Sequence, residues 1–301
     1  MGNLLFYAVT ILIWGSTWLA IKFQLGSVDP MLSVVYRFAL AAALLLGYCA
    51  LTRRPLRFNP REHLWIALQG AFLFALNYWL FYLAETQLTS GLVALVFSTI
   101  VLMNVFIGAL LLGTPLEGRV LGGAVLGLAG IALVFWPELR SLTLGDQGLS
   151  GLLICLLATL LASVGNILSA RNQRHRLPVL QTNAFGMGYG ALLMLLVALA
   201  SGRPLSIELT PSYLGALLYL AVFGSIVAFG CYLTLIGRIG ASRSAYISLL
   251  VPLVALGLST LFEGYQWTQG AFFGMVLILA GNLLILKPAP VSAAPAGART
   301  A

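Results

Sequence analysis

VLGGAVLGLAGIAL, residues 120–133, decides the fold, because its outline returns 151 residues later as AFFGMVLILAGNLL at 271–284. Overlaid, the stretches match Gly123 with Gly274, Val125 with Val276, Leu126 with Leu277, Leu128 with Leu279, Ala129 with Ala280, Gly130 with Gly281 and Leu133 with Leu284. Leucine and alanine coincide readily in apolar sequence, whereas glycines in register do not. The same shift reaches back through Gly113 and Gly264 to Ala94 and Ala245, and a shift of 148 pairs Pro30 with Pro178 and Ala43-Leu44-Leu45 with Ala191-Leu192-Leu193. Self-similarity at half the chain length reads as two copies of one unit.

Composition says what that unit is made for. The 301 residues are 60% hydrophobic and 8% charged, with a mean hydropathy of +1.01, against a charged fraction of about 25% in soluble domains. Apolar runs recur near 3–25, 30–51, 64–84, 91–112, 119–136, 149–170, 178–200, 212–236, 244–262 and 267–286, each near the ~20 residues that carry a helix across a bilayer. Ten spans divide into five per copy. Five is odd, so the second copy enters the membrane in the opposite sense, as in transporters built from inverted repeats. The expected fold is therefore an all-α integral membrane protein of ten transmembrane helices, in two inverted five-helix repeats around a central cavity. The repeats are expected at 1–148 and 149–287, followed by a Pro/Ala-rich, disordered cytoplasmic tail at 288–301.

The net charge of +8 is a signal of topology and calls for no nucleic acid. With a cytoplasmic N-terminus, Arg53, Arg54, Arg57, Arg61, Arg119, Arg171, Arg174, Arg176, Arg238, Arg243 and Lys287 all fall inside, and only Arg140 and Arg203 clearly outside. By the positive-inside rule both termini are cytoplasmic. The N-terminus lacks a charged n-region and a cleavage site, so the first span is expected to be retained. Cys49, Cys155 and Cys231 lie unpaired in apolar runs and suggest neither disulfide nor metal.

LIWGSTWLAIK (12–22), VVYRFALAAALLL (34–46), LVPLVALGLSTLFEG (250–264) and GAFFGMVLILAGNLLIL (270–286) resemble the EamA-type exporters of the drug/metabolite transporter superfamily. The resemblance covers essentially the whole chain. It implies the ten-helix inverted-repeat fold and solute export, and the aromatic patches look most like the YddG-type exporters of aromatic amino acids. One departure is that Val101 and Leu112 stand in the first repeat where Pro252 and Glu263 stand in the second. The two halves are therefore not expected to move identically.

Candidate site residues come from polar groups that lipid would not tolerate unpaired. LNYWLFYLAE (76–85) places Asn77 and Tyr78 deep in a span and Tyr82 near its end, to line a cavity, to bond a neighbouring helix or, for Tyr82, to sit in the aromatic belt. Trp14 and Trp18 lie one turn apart and wall a cavity or pack. Ser163 and Asn166 occupy the matching region of the sixth span. Pro252 should leave the Ser248 carbonyl without its helical donor, which makes a hinge and, beside Tyr246, a place for an ammonium group. The expected substrate-binding set is Trp14, Trp18, Asn77, Tyr78, Tyr82, Ser163, Asn166, Tyr246 and Ser248, with Pro252 as hinge. Lys22 and Arg37, in or near spans, are either functional or snorkelling to an interface.

No Asp or Glu sits near the middle of a span; Glu85 and Glu263 lie at span ends. That favours facilitated export over a carboxylate proton relay. Neither a GxSxG pattern nor a His-ligand pair occurs in the spans, so an enzyme is not expected, and rings of charge typical of channels are missing. The expected function is that of an inner-membrane exporter of small amphipathic metabolites, amino acids including aromatic ones, by alternating access and without cofactor or metal, as a monomer or an oligomer; the bacterial setting, the outward direction and the aromatic preference are what the resemblance implies. Other metabolites or organic cations are the alternative cargo. Lipid and the solute are the partners.

Overall fold

A computed structural model describes residues 2–26, 28–88, 93, 96–134, 136–141, 146–262 and 267–286. Among these the chain is helical, without a strand. Helices α1 (Asn3–Lys22), α2 (Pro30–Leu51), α3 (Pro60–Glu85), α4 (Ile100–Leu112) and α5 (Gly118–Val134) are followed by α6 (Asp146–Arg174), α7 (Val179–Ala200), α8 (Pro211–Ile239), α9 (Ile247–Phe262) and α10 (Gln269–Leu286). Short helices at Trp136–Ser141 and Ala241–Ser244 lie in the connections. Six helices, α1, α2, α3, α6, α7 and α8, are long and apolar enough to cross a membrane, and α4, α5, α9 and α10 are shorter apolar helices. The tail at 288–301 and Glu263 lie outside the described residues.

Local chemistry sets the helix starts. Proline opens α2, α3 and α8, where its missing N–H goes unmissed and its φ suits a first turn. Behind each stands a capping side chain: the Asp29 carboxylate accepts the Met31 N–H, Asn59 and Glu62 exchange bonds in a capping box, and the Thr210 hydroxyl accepts the Tyr213 N–H. Gly113, at φ 61°, ends α4 in a left-handed turn. Helix α6 outruns its apolar stretch: at 29 residues it is about 44 Å long at 1.5 Å per residue, beyond the ~30 Å hydrocarbon layer. Its overhang carries Arg171, against the Trp65 ring, and Arg174, which donates to the Leu112 carbonyl at the end of α4.

The distribution of side chains is that of a protein solvated by lipid. Leu51, Leu110, Leu209 and Phe273 face outward, while Gln24, Arg37, Gln69, Asn77, Asn104, Asn166, Gln181 and Asn183 are buried. Lipid offers no hydrogen bonds, so polar groups gather where protein can supply them. The chain is a multi-pass membrane protein.

Two contacts tie its ends together. Helices α5 and α10 approach most closely at glycines: a Cβ on Gly130 would lie 2.6 Å from the Gly274 carbonyl oxygen, and one on Gly281 2.7 Å from that of Gly123. Position falls along α5 as it rises along α10, so the two run antiparallel. Helices α2 and α7 also pack antiparallel. Arg203, just past α7, pairs with Asp29 before α2, while Gln181, at the start of α7, donates to the Pro55 carbonyl beyond α2. Helix α1 packs on α8 and α9, and α6 on α3 and α4.

Both α3 and α8 are interrupted by π-helical turns, at Phe72–Leu76 and Leu220–Val227, which the sequence reading did not foresee. Counted from their opening prolines, the two π segments end at the same place, 16 residues on. A π turn adds a residue to the helical register and rotates all that follows. Here it brings Asn77 and Tyr78 on α3, and Phe229 and Tyr232 on α8, to face one another.

Candidate functional site

A cavity of about 70 Å³ lies where α1, α2, α3, α6, α8 and α9 meet just past the two π turns. On that measure one water needs ~10–15 Å³, so the space holds several waters and is not an open passage. Its aromatic wall interlocks. The Trp14 ring lies 5.0 Å from Phe229 and 4.9 Å from Tyr232, Phe229 contacts Phe74 at 5.0 Å and Tyr78 at 6.2 Å, and Tyr78 meets Phe38 at 4.9 Å. Edge and tilted contacts at these separations favour one arrangement of rings.

Polar groups interrupt the wall. The Arg37 Nε donates to Ser225 Oγ at 2.9 Å, and Ser225 in turn donates to the Leu220 carbonyl inside the π turn. The guanidinium carbon sits 4.7 Å from the centre of the Tyr78 ring. Gly224 makes this approach possible, since a Cβ there would come within 3.2 Å of Arg37 Nη2; its carbonyl accepts the Trp14 indole N–H at 3.2 Å. The Tyr82 hydroxyl donates to Gln24 Oε1, and Asn166 Nδ2 donates to the Tyr232 hydroxyl, both at 3.0 Å. Arg37 Nη1, Asn77 Oδ1 and Asn166 Oδ1 are buried without a hydrogen-bond partner among the described residues. Glu85, at the end of α3, also lines the cavity.

Of the residues expected in the site, Trp14, Asn77, Tyr78, Tyr82, Asn166 and Ser248 line this one cavity. Ser163 and Tyr246 do not: the Ser163 hydroxyl donates to Asn104 Oδ1 at 2.6 Å, and the buried Tyr246 hydroxyl donates to the Val120 carbonyl on α5. The side chain of Trp18 lies outside the described residues. Pro252 stands inside α9 one turn beyond Ser248. The carbonyl that it deprives is that of Ser248, as expected, but the Ser98 hydroxyl donates to it at 3.3 Å, so it is not a bare acceptor for an ammonium group. Arg37 is 1% exposed and does not snorkel.

Phe229, Tyr232 and Thr17 also line the cavity and escaped the sequence reading. One signal could have found the first of them: Phe229 stands 18 residues after Pro211, as Tyr78 stands 18 after Pro60.

A second cavity, of about 630 Å³, opens among the ends of α4, α6 and α8 and the start of α5, with Asn104, Glu117, Gln173, Arg174, Arg238 and Arg243 in its wall. Asn104, bonded to Ser163, is in the wall of this cavity, and Asn166, bonded to Tyr232, is in the wall of the central one. Glu117 and Arg243 join in an ion pair at 2.6 Å on its rim.

Known proteins share this fold. One crystal structure of a protein superimposes with a TM-score of 0.78 at 21% identity, covering 94% of this chain and 96% of that one, which places the two in one fold. A probable amino-acid metabolite efflux pump of Escherichia coli is 27% identical over 286 residues, 91% of each chain. The uncharacterized inner membrane transporter YedA of Escherichia coli is 29% identical over 294 residues, 94% of this chain and 92% of that one. The model of the EamA-like transporter family matches twice, over residues 1–136 and again over 149–287. With both halves matched, the chain belongs to the EamA-like transporter family.

Proposed function

We propose that the protein exports small amphipathic metabolites, amino acids including aromatic ones, from the cytoplasm by alternating access of the central cavity. The observation that carries this reading is the cavity itself: rings from α1, α3 and α8 surround buried polar atoms that have no partner. A flat apolar side chain suits the rings, and a polar end suits the unsatisfied groups. The name of the efflux-pump relative points the same way.

Alternating access needs two shape-exchanging halves, 1–148 and 149–287, inverted in the membrane. Antiparallel packing of the repeated helices α5 and α10 supports them. So does the exchange of partners, in which Gly130 meets Gly274 while their counterparts Gly281 and Gly123 meet each other. That reciprocity is the mark of a two-fold axis. Similarly, α1 packs on α8 and α9 as α6 packs on α3 and α4. Ten membrane helices would put both termini on one side, and the excess of arginine in the connections supports taking that side, and the second cavity with its arginines, as the cytoplasmic side of a bacterial inner membrane. The bonded layer of Asn104, Ser163, Asn166 and Tyr232 would part to admit solute, with Pro252 as the flexing point of α9. The protein works as a monomer in lipid and takes no cofactor.

Uptake of a panel of radiolabelled amino acids into liposomes holding the purified protein, with and without a pH gradient, tests the reading. Entry of aromatic and large apolar amino acids along their own gradient is the expected result. Export of organic cations is the second reading, favoured by Glu85 in the cavity wall; it takes over if the amino acids stay out and a labelled aromatic cation enters.

A further inference from the structure

We infer that the central cavity recognises its solute as a zwitterion, with Arg37 as the anchor for a carboxylate and the Asn77 and Asn166 side-chain oxygens as acceptors for an ammonium group. This rests on the amino-acid reading above and narrows it to solutes that bear a free carboxylate. It starts from a buried charge whose hydrogen-bond partners are hydroxyls. Arg37 is buried to 1% exposure in the first half of α2, and the partners that its guanidinium meets, Ser225, Tyr78 and Tyr82, are all hydroxyls. Ionisable groups at membrane depth are costly and are kept where they meet a partner or a pathway. Here the pathway is the cavity, which Arg37 lines.

The guanidinium is held rather than merely present. Ser225 fixes Nε, the Tyr78 ring lies over the planar group at 4.7 Å, and the missing side chain of Gly224 leaves room for Nη2. Nη1 is left as a buried donor without acceptor. A carboxylate meets a guanidinium in a planar, charge-assisted geometry that a water or a neutral carbonyl does not match. The complementary deficit is close by in the same wall. Asn77 Oδ1 and Asn166 Oδ1 are acceptors without donors, with Asn77 3% and Asn166 1% exposed, and an ammonium group brings three donors and no acceptor. Arg37 Nη1 therefore offers a donor to a carboxylate and the two amide oxygens offer acceptors to an ammonium group, with the Glu85 carboxylate in the same wall, and the two ends of an amino acid answer to that pattern. The rings of Trp14, Tyr78 and Phe229 are left for the side chain.

Competition separates this assignment from the broader one. Liposomes holding the full chain are loaded with the best-transported amino acid of the panel. Counterflow of label is then competed with the free amino acid, its methyl ester, its decarboxylated amine and its deaminated acid. The wild type should prefer the free amino acid over ester and amine by about tenfold to hundredfold, the range expected for hydrogen bonds to a charged group. Arg37→Gln should erase the preference over the ester while leaving the preference over the deaminated acid, and Arg37→Lys should restore part of it. If amino acids are carried but the wild type accepts the ester equally, the zwitterion assignment falls and amino-acid export stands. A carboxylate preference that survives Arg37→Gln overturns the role of Arg37. If no amino acid of the panel moves at all, both readings fall together. The analogue series on the wild type decides the matter even where Arg37→Gln does not fold.

Discussion

The α5–α10 contact and the central cavity are made from the same repeated chain, and the repeat is used in opposite ways. At the contact both copies keep glycine: Gly123 and Gly274 are counterparts, as are Gly130 and Gly281, and all four lie where the backbones touch. In the cavity the copies part company. Tyr78 faces its counterpart Phe229, Asn77 corresponds to Ala228, and Arg37, seven residues after Pro30, corresponds to Phe185, seven after Pro178. Phe185 does not line the cavity; it packs against Phe58, His63 and Tyr189. A packing contact between repeated helices asks the same of each copy, namely a side chain small enough for carbonyl and Cα to meet. On the proposed function, a site between the copies would hold one solute whose ends differ, and its walls would gain by differing.

The largest effect should come from spoiling the shared contact. Gly130→Leu drives a side chain into the Gly274 carbonyl, with no room to relax, and should abolish monodisperse protein in size-exclusion chromatography. Gly122→Leu, on the same helix with only Leu284 at 3.8 Å from the added Cβ, should not. Equal yields from the two would break the comparison on the scaffold side.

The cavity side is sharpened by its paired rings. Tyr78→Ala should slow amino-acid uptake about tenfold, because it removes a ring and the cation–π contact with Arg37. Phe229→Ala removes a ring alone and should do less. Identical losses would mean that the asymmetry of the wall has no functional weight.

Smaller again is Ser98→Ala, which takes the donor from the Ser248 carbonyl. It should lower stability by about 1 kcal/mol, the worth of one ordinary hydrogen bond, read as an earlier midpoint in thermal unfolding. The smallest expected effect concerns Glu85. Under facilitated export, collapsing the pH gradient with the solute gradient held constant leaves uptake unchanged, in the wild type and in Glu85→Gln alike. A gradient dependence that Glu85→Gln removes would make Glu85 the proton carrier.

How far the cavity could be read in advance depended on the kind of residue. Asn77, Tyr78 and Asn166 were legible because an amide or phenol deep in an apolar run needs a partner wherever it lies. Arg37 stood out for the same reason, but a long side chain near a span end can also reach an interface, and periodicity does not choose between the two. Phe229 and Tyr232 gave no such signal, being ordinary in an apolar helix. Tyr246 and Ser163 carried the right chemistry in spans that present them elsewhere.

What the sequence by itself determined is therefore the solvent, the helices and the repeat. Mean hydropathy of +1.01 places the chain in lipid, Pro30, Pro60 and Pro211 start helices, and glycines in register at 151 residues reveal the duplication. Those are properties of single residues or of spacing along one chain. Only the tertiary structure decided which polar groups meet. The π turns in α3 and α8 rotate the residues that follow them, and whether a buried arginine finds a carboxylate, a hydroxyl or an empty cavity is a matter of what other helices bring. Partnership in a membrane interior is settled between helices, and no single helix carries it in its own sequence.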